Sequence, residues 1–248
     1  MRPIGFACIA FLLYLLPNLT GLASMLPFPS WLTTTVWDVA FIAGGAHLLS
    51  ATGAFARPRA RRGIVAALAC ALVLTVIVGN LAGTAINLHY VDVGFAVYSD
   101  RRAAAPELPA VLLSCVIAPV AEEIVMRGCI YGSLRRRESA MMSAFIASIM
   151  FAVAHGTVTH LPLTFLLGFV CCIAYEHTRS LLPSITMHVT ANVASLTVVP
   201  HLIVPDALLE PPVAFGLWAL VLIGAVALCA IAQRKCGPWY HGGMSIDE

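Results

Sequence analysis

Long apolar stretches, separated by short polar joints, organise this chain of 248 residues. Eight of them stand out, at about 4–28, 32–54, 64–89, 107–134, 140–156, 160–177, 181–199 and 213–233. A helix rises about 1.5 Å per residue and a bilayer's hydrocarbon layer is about 30 Å thick, so roughly 20 apolar residues make one crossing. Each stretch reaches or approaches that length. The pattern predicts an all-α fold: a polytopic membrane bundle of about eight transmembrane helices, read as one domain over 1–248.

Composition points the same way. Hydrophobic residues make up 60% of the chain and charged ones only 10%, and the mean hydropathy is +0.91, the profile of an integral membrane protein. The positive residues add sidedness, because short cytoplasmic loops collect them. With a cytoplasmic N-terminus, the inner segments hold Arg2, then Arg57, Arg59, Arg61 and Arg62, then Arg135, Arg136 and Arg137, then Arg179, then Arg234 and Lys235. The outer loops hold only Arg101 and Arg102, next to Asp92, Asp100 and Glu107, with Asp206 and Glu210 in the last. Both termini are therefore expected inside. The net charge of +2 reflects this sidedness, and no nucleic-acid partner is indicated.

The first stretch is long for a signal peptide and has only Arg2 ahead of it, so an uncleaved helix is expected. The eight cysteines contain no CxxC and mostly lie within apolar stretches. They read as small hydrophobic residues, neither a disulfide framework nor a zinc knuckle.

Against this background a few polar residues stand out. APVAEEIVMR, at 118–127, sets Glu122, Glu123 and Arg127 inside an apolar span. An ionisable side chain near the bilayer centre costs roughly 2.5–3.5 kcal/mol on insertion scales, so such residues pair, face a cavity or mark a functional site. Glu123 and Arg127 are four apart and share a helix face in the favourable acid-before-base order. Glu122 is left over on another face. A desolvated carboxylate without a local cation is a candidate general base. Two more constellations have the same spacing: Phe151 with His155, and His188 with Asn192.

Together these groups could hydrolyse an amide without a covalent intermediate. A glutamate takes a proton from water, a neutral histidine orients that water, and a second histidine with an asparagine amide donates to the developing oxyanion. Ser114, Ser184 and Ser195 lack a GxSxG context, and Cys129 has no evident base, so a nucleophilic mechanism is disfavoured. Two other classes use intramembrane Glu, Arg, His and Asn. One is a proton-coupled transporter and the other a non-catalytic membrane scaffold or immunity protein. No pair of broken helices in repeated halves supports the transporter.

Glu122-Glu123-x-x-x-Arg127, Phe151-x-x-x-His155 and His188-x-x-x-Asn192, in this order, resemble the three signature motifs of the CPBP family. These are the CAAX protease and bacteriocin-processing intramembrane endopeptidases, also called Abi proteins. Pro119, Gly128 and the run from Tyr175 to Leu182 extend the likeness, which covers about residues 107–195, with the catalytic core set at about 107–199. One departure is Met126, where members often have an aromatic residue.

The resemblance implies an intramembrane endopeptidase whose site opens to the cytoplasmic side. Glu122 would be the catalytic carboxylate and His155 its partner on the attacking water. His188 and Asn192 would form the oxyanion hole, and Glu123 with Arg127 would hold the site together or position the substrate. Glu122, His155 and His188 can also be read as a two-histidine, one-carboxylate zinc set. No cofactor is committed, zinc standing as the alternative to a metal-free glutamic mechanism.

The implied partners are the lipid bilayer and a protein or peptide substrate, with prenylated proteins among the substrates the family suggests. The near absence of lysine, only Lys235 among 14 basic residues, and the short loops suit a bacterial protein of the inner membrane. Depth leaves one discrepancy: His155 falls farther from the cytoplasmic side than Glu122 and His188. That requires the fifth helix to start before Ala140, to tilt, or to unwind near Gly156.

Overall fold

A computed structural model describes residues 3–20, 30–50, 54–55, 62–90 and 108–236. The described residues are almost wholly helical, with no strand among them. Eight helical segments coincide with the eight predicted stretches: α1 (Pro3–Thr20), α2 (Ser30–Ser50), α3 (Arg62–Tyr90), α4 (108–134), α5 (Ala140–Ala154), α6 (Leu161–Thr178), α7 (Leu181–Thr197) and α8 (Pro211–Cys236). Five candidate spans, at Leu32–Ser50, Ile64–Tyr90, Val158–Thr178, Leu181–His201 and Pro211–Ile231, are long and apolar enough to cross a bilayer. The chain is an all-α, multi-pass integral membrane protein.

Local signals set the joints. Ser139 caps α5 by accepting from Met142 N (3.1 Å), and Ser180 caps α7 by accepting from Leu182 N (3.3 Å). These bonds satisfy amides that the first helical turn leaves without partners. Arg179 ends α6 in the left-handed region at φ 55°. Gly156, at φ 68°, follows the end of α5, in the conformation that suits glycine best.

That last stop accounts for His155. At 15 residues, α5 is about 22 Å long, short of a full crossing. It begins at Ala140 as expected and ends at Ala154, so the chain leaves the helix at the histidine instead of carrying it to the far surface. A single 3₁₀ turn, Val158–His160, then leads into α6.

The core is centred on α6, whose most apolar window is 67% buried, against 17% for those of α7 and α8. Residues Leu166 to Thr178 are all buried. Around α6 stand α3, α5, α7 and α8, and their outer faces keep apolar side chains such as Val73, Ile149, Leu196 and Leu220 exposed, as a lipid-facing surface requires.

Helix α4 is not regular. Two π-helical segments, Leu113–Ile117 and Ile124–Tyr131, flank the α-helical turn Ala118–Glu123 that carries both glutamates. Such wide turns are rare and cluster at functional positions.

Candidate active site

Glu123 is fully buried, and its Oε1 accepts from two sides: from Arg127 Nη1 at 2.7 Å and from His188 Nδ1 at 2.9 Å. The i,i+4 pair expected from the sequence is present, in a fully desolvated form. Arg127 is tied further by Nη2, which donates to the Gly168 carbonyl at 2.9 Å, and its guanidinium lies over the Phe151 ring, 5.0 Å from the centroid. A buried ion pair holds only when both ions gain such additional partners. Ser184 stands beside Glu123, yet its hydroxyl donates to Leu181 O (2.9 Å), and Glu123 Oε2 keeps no hydrogen-bond partner.

Gly168 permits this closeness. A Cβ there would stand 3.2 Å from both Phe151 Cδ1 and Ser148 Cα, tighter than ordinary packing tolerates. With hydrogen in its place, α6 lies close against α5 and offers its carbonyl to Arg127.

Glu122 behaves differently from its neighbour. Its side chain is 19% exposed, and Oε2 stands 3.5 Å from Nε2 of His188, which is only 2% exposed. The imidazole of His188 therefore lies between two carboxylates. With Nδ1–H donating to Glu123, Nε2 carries a hydrogen only when the ring is doubly protonated.

His155 sits at the other edge. A carbonyl can only accept, so Nδ1–H donates to Phe151 O at 2.8 Å and a neutral ring has Nε2 as its acceptor. The Phe151 ring meets both histidines in edge-to-face contacts, with centroids 4.6 Å from His155 and 5.4 Å from His188. The imidazole that stands 3.5 Å from Glu122 is that of His188. Asn192, one turn beyond His188, is half-buried, and its Nδ2 donates to Ser114 O at 2.9 Å. The amide retains a second N–H for another acceptor.

Arg127, His155 and His188 thus touch Phe151, both glutamates stand beside His188, and Asn192 reaches α4 at Ser114. Among the described residues no group of three or more His, Cys, Asp or Glu side chains is arranged to hold a metal ion. Glu122, His155 and His188 are not brought together as such a group.

Two features lay beyond the sequence reading. Glu176, 1% exposed, accepts from Tyr131 Oη (2.8 Å), Arg135 Nε (3.2 Å) and Arg135 Nη2 (3.1 Å), with Arg179 Nη2 at 3.5 Å. This knot ties the end of α4 to the end of α6. Its arginines fit the predicted positive side, where Arg136 and Arg137 are exposed. Arg2, Arg57, Arg59, Arg61, Arg101 and Arg102 lie outside the described residues. The second feature is Asp38, which is 2% exposed on α2. It is the one acidic residue of its apolar stretch, so the test that singled out Glu122 would have found it too.

Residues 104–194 match the family model described as Type II CAAX prenyl endopeptidase Rce1-like. Two curated proteins are similar over the same kind of length. The protein named "Putative membrane peptidase YdiL", of Bacillus subtilis strain 168, is 28% identical over 82 residues, 33% of this chain and 34% of that protein. The Membrane-embedded CAAX protease MroQ, of Staphylococcus aureus strain USA300, is 30% identical over 99 residues, 38% of this chain and 39% of that protein. The alignments therefore span only a third to two fifths of the relatives' length. No solved structure matches the chain.

Proposed function

The chain belongs to the CPBP family of membrane CAAX proteases, and on that premise we propose that it is an intramembrane endopeptidase in which Glu122 activates water. One observation carries the reading. Of two adjacent glutamates, Glu123 is bound by Arg127 and His188, whereas Glu122 stays partly exposed with only an imidazole nitrogen 3.5 Å away. The first is spent on structure and the second is open for chemistry.

The proton balance is simple. As the water oxygen bonds to the scissile carbonyl carbon, Glu122 takes the water's proton. When the C–N bond breaks, that proton goes to the leaving nitrogen and the carboxylate is restored. His188, as an imidazolium, and the second N–H of Asn192 are the donors for the oxyanion. His155, with Nε2 as acceptor, orients the water. Glu123 and Arg127 fix His188. Zinc enters no step.

The proposed substrate is a membrane-associated protein or peptide, with lipidated ones included. The proposed setting is a bacterial inner membrane with both termini cytoplasmic. The matched relatives are bacterial, and the arginines 135–137 and 179 support the orientation.

The test is cleavage of a quenched-fluorescent library of lipidated and unlipidated peptides by detergent-purified protein, with Glu122→Gln beside wild type and with a strong zinc chelator. Cleavage that disappears in the variant and withstands the chelator is expected. Sensitivity to the chelator would bring a metal into the mechanism. An equally active variant would remove Glu122 from it.

A further inference from the structure

The N-terminal helices bring a third carboxylate to this site. Gly45 of α2 leaves no room for a Cβ against Ile124, and Gly128 leaves none against Leu49. The two contacts step in the same direction, from 45 to 49 and from 124 to 128, so α2 runs beside α4 in parallel register. Asp38 lies seven residues, two helical turns, before Gly45 and so on nearly the same face. Its neighbours Val36 and Val39 are 63% and 51% exposed, whereas Asp38 is 2% exposed.

The Tyr14 side chain of α1 lies beside Asp38, and Glu122 is close enough to interact electrostatically with both. One oxygen of Asp38, Oδ2, is buried without a partner. An unsatisfied acceptor of this kind is costly inside a protein, and more so at membrane depth.

The charges do not balance. Asp38, Glu122 and Glu123 stand against Arg127, and Arg127 is already committed to Glu123 and Gly168. Counting His188 as an imidazolium still leaves three carboxylates against two cations. A cationic group that arrives with the substrate would supply both the missing positive charge and the missing donor for Oδ2.

We propose that Asp38, beside Tyr14, is a specificity-determining residue that receives an arginine or lysine side chain of the substrate next to the scissile bond. This rests on the protease reading above and names the kind of peptide that the site takes. The guanidinium or ammonium donates to Asp38 Oδ2 and lies near Glu122. A neutral side chain of the same shape leaves both carboxylates unmatched. Discrimination then comes from a group left unpaired, the strongest means a buried site has.

Paired peptides identical except for arginine or citrulline beside the cleaved bond test this, with the detergent-purified full chain, Asp38→Asn and Tyr14→Phe. In wild type the arginine peptide is expected to be preferred about tenfold or more in kcat/KM, the difference lying mainly in KM. Asp38→Asn brings the ratio near one while still cleaving the citrulline peptide, and Asp38→Glu restores part of the preference. Equal cleavage of both peptides by wild type, or a preference that survives in Asp38→Asn, overturns the proposal.

Peptide binding measured by fluorescence polarisation separates this from the protease reading. Tighter binding of the arginine peptide by wild type, lost in Asp38→Asn, upholds the subsite even where nothing is cleaved; equal binding of both peptides sinks it. Should Asp38→Asn fail to fold by thermal unfolding, Tyr14→Phe carries the same comparison. Without the polar hydroxyl beside Asp38, its preference is expected to fall about threefold. A full preference in that variant would again overturn the assignment.

Discussion

Two buried glutamates, Glu123 and Glu176, each meet arginine inside the bundle, and they are finished differently. At Glu176 both oxygens are taken: Oε2 by Tyr131 and Arg135, Oε1 by Arg135, with Arg179 beside it. At Glu123 one oxygen accepts from both Arg127 and His188, the other has no partner, and a second carboxylate stands next door. A saturated cluster has nothing left to offer a reactant, so it works as a clamp. An unsaturated one keeps donors and acceptors available at a cost in stability, which is how a site differs from a clamp.

Exchanging the glutamates for glutamine breaks the comparison where it matters most. Glu122→Gln keeps shape and volume but removes the proton acceptor. The expected loss is about 10²- to 10⁴-fold in kcat, with thermal unfolding in detergent at the wild-type temperature. Rates near wild type would end the distinction drawn here. Asn192→Ala comes next. Removing one oxyanion donor costs about 10²- to 10³-fold in kcat in well-studied cases. Because Asn192 also binds Ser114 O, the KM-against-kcat split decides its role. A loss confined to KM would make it a strut between α7 and α4.

How far the sequence reached follows from the same contrast. The helices were legible because each apolar run is its own signal, and burial in lipid makes length alone nearly sufficient. The pairing of Glu123 with Arg127 was legible because four residues on one helix fix proximity without tertiary knowledge. The position of His188 between both glutamates was not, since it depends on how α7 crosses α4, 65 residues away in sequence. Likewise, the contacts of the Phe151 ring with both His155 and His188 are visible only in three dimensions. Nor did local periodicity signal that α4 widens into π-helical turns around its glutamates. Asp38 was readable in principle, yet nothing in its own stretch pairs with it. Its partners come from α1 and α4.

The clamp makes the complementary prediction. Glu176→Gln leaves Arg135 and Arg179 facing a neutral amide. Arg135 retains 15% side-chain exposure, so water recovers part of the loss. A destabilisation of about 2 kcal/mol is expected, below the range for breaking a fully buried pair. Measured at a temperature where the variant remains folded, its kcat should stay within about threefold of wild type, in contrast to the loss at Glu122.

Tyr131→Phe is the mildest change and the sharpest for this cluster. It deletes only the hydroxyl that donates to Glu176 Oε2 at 2.8 Å and keeps the ring packed edge-on against Tyr175, 6.0 Å between centroids. Arg135 Nε still donates to the same oxygen, so the carboxylate is not stripped of its partners. One net hydrogen bond is lost, about 1 kcal/mol, and it should register as a slightly lower midpoint of thermal unfolding with kcat and KM unchanged. A tenfold fall in kcat from this substitution would mean that the clamp transmits to the reacting groups through α4. The division between the two glutamates would then have to be redrawn as one connected network running from Tyr131 along the π-helical turn to Arg127.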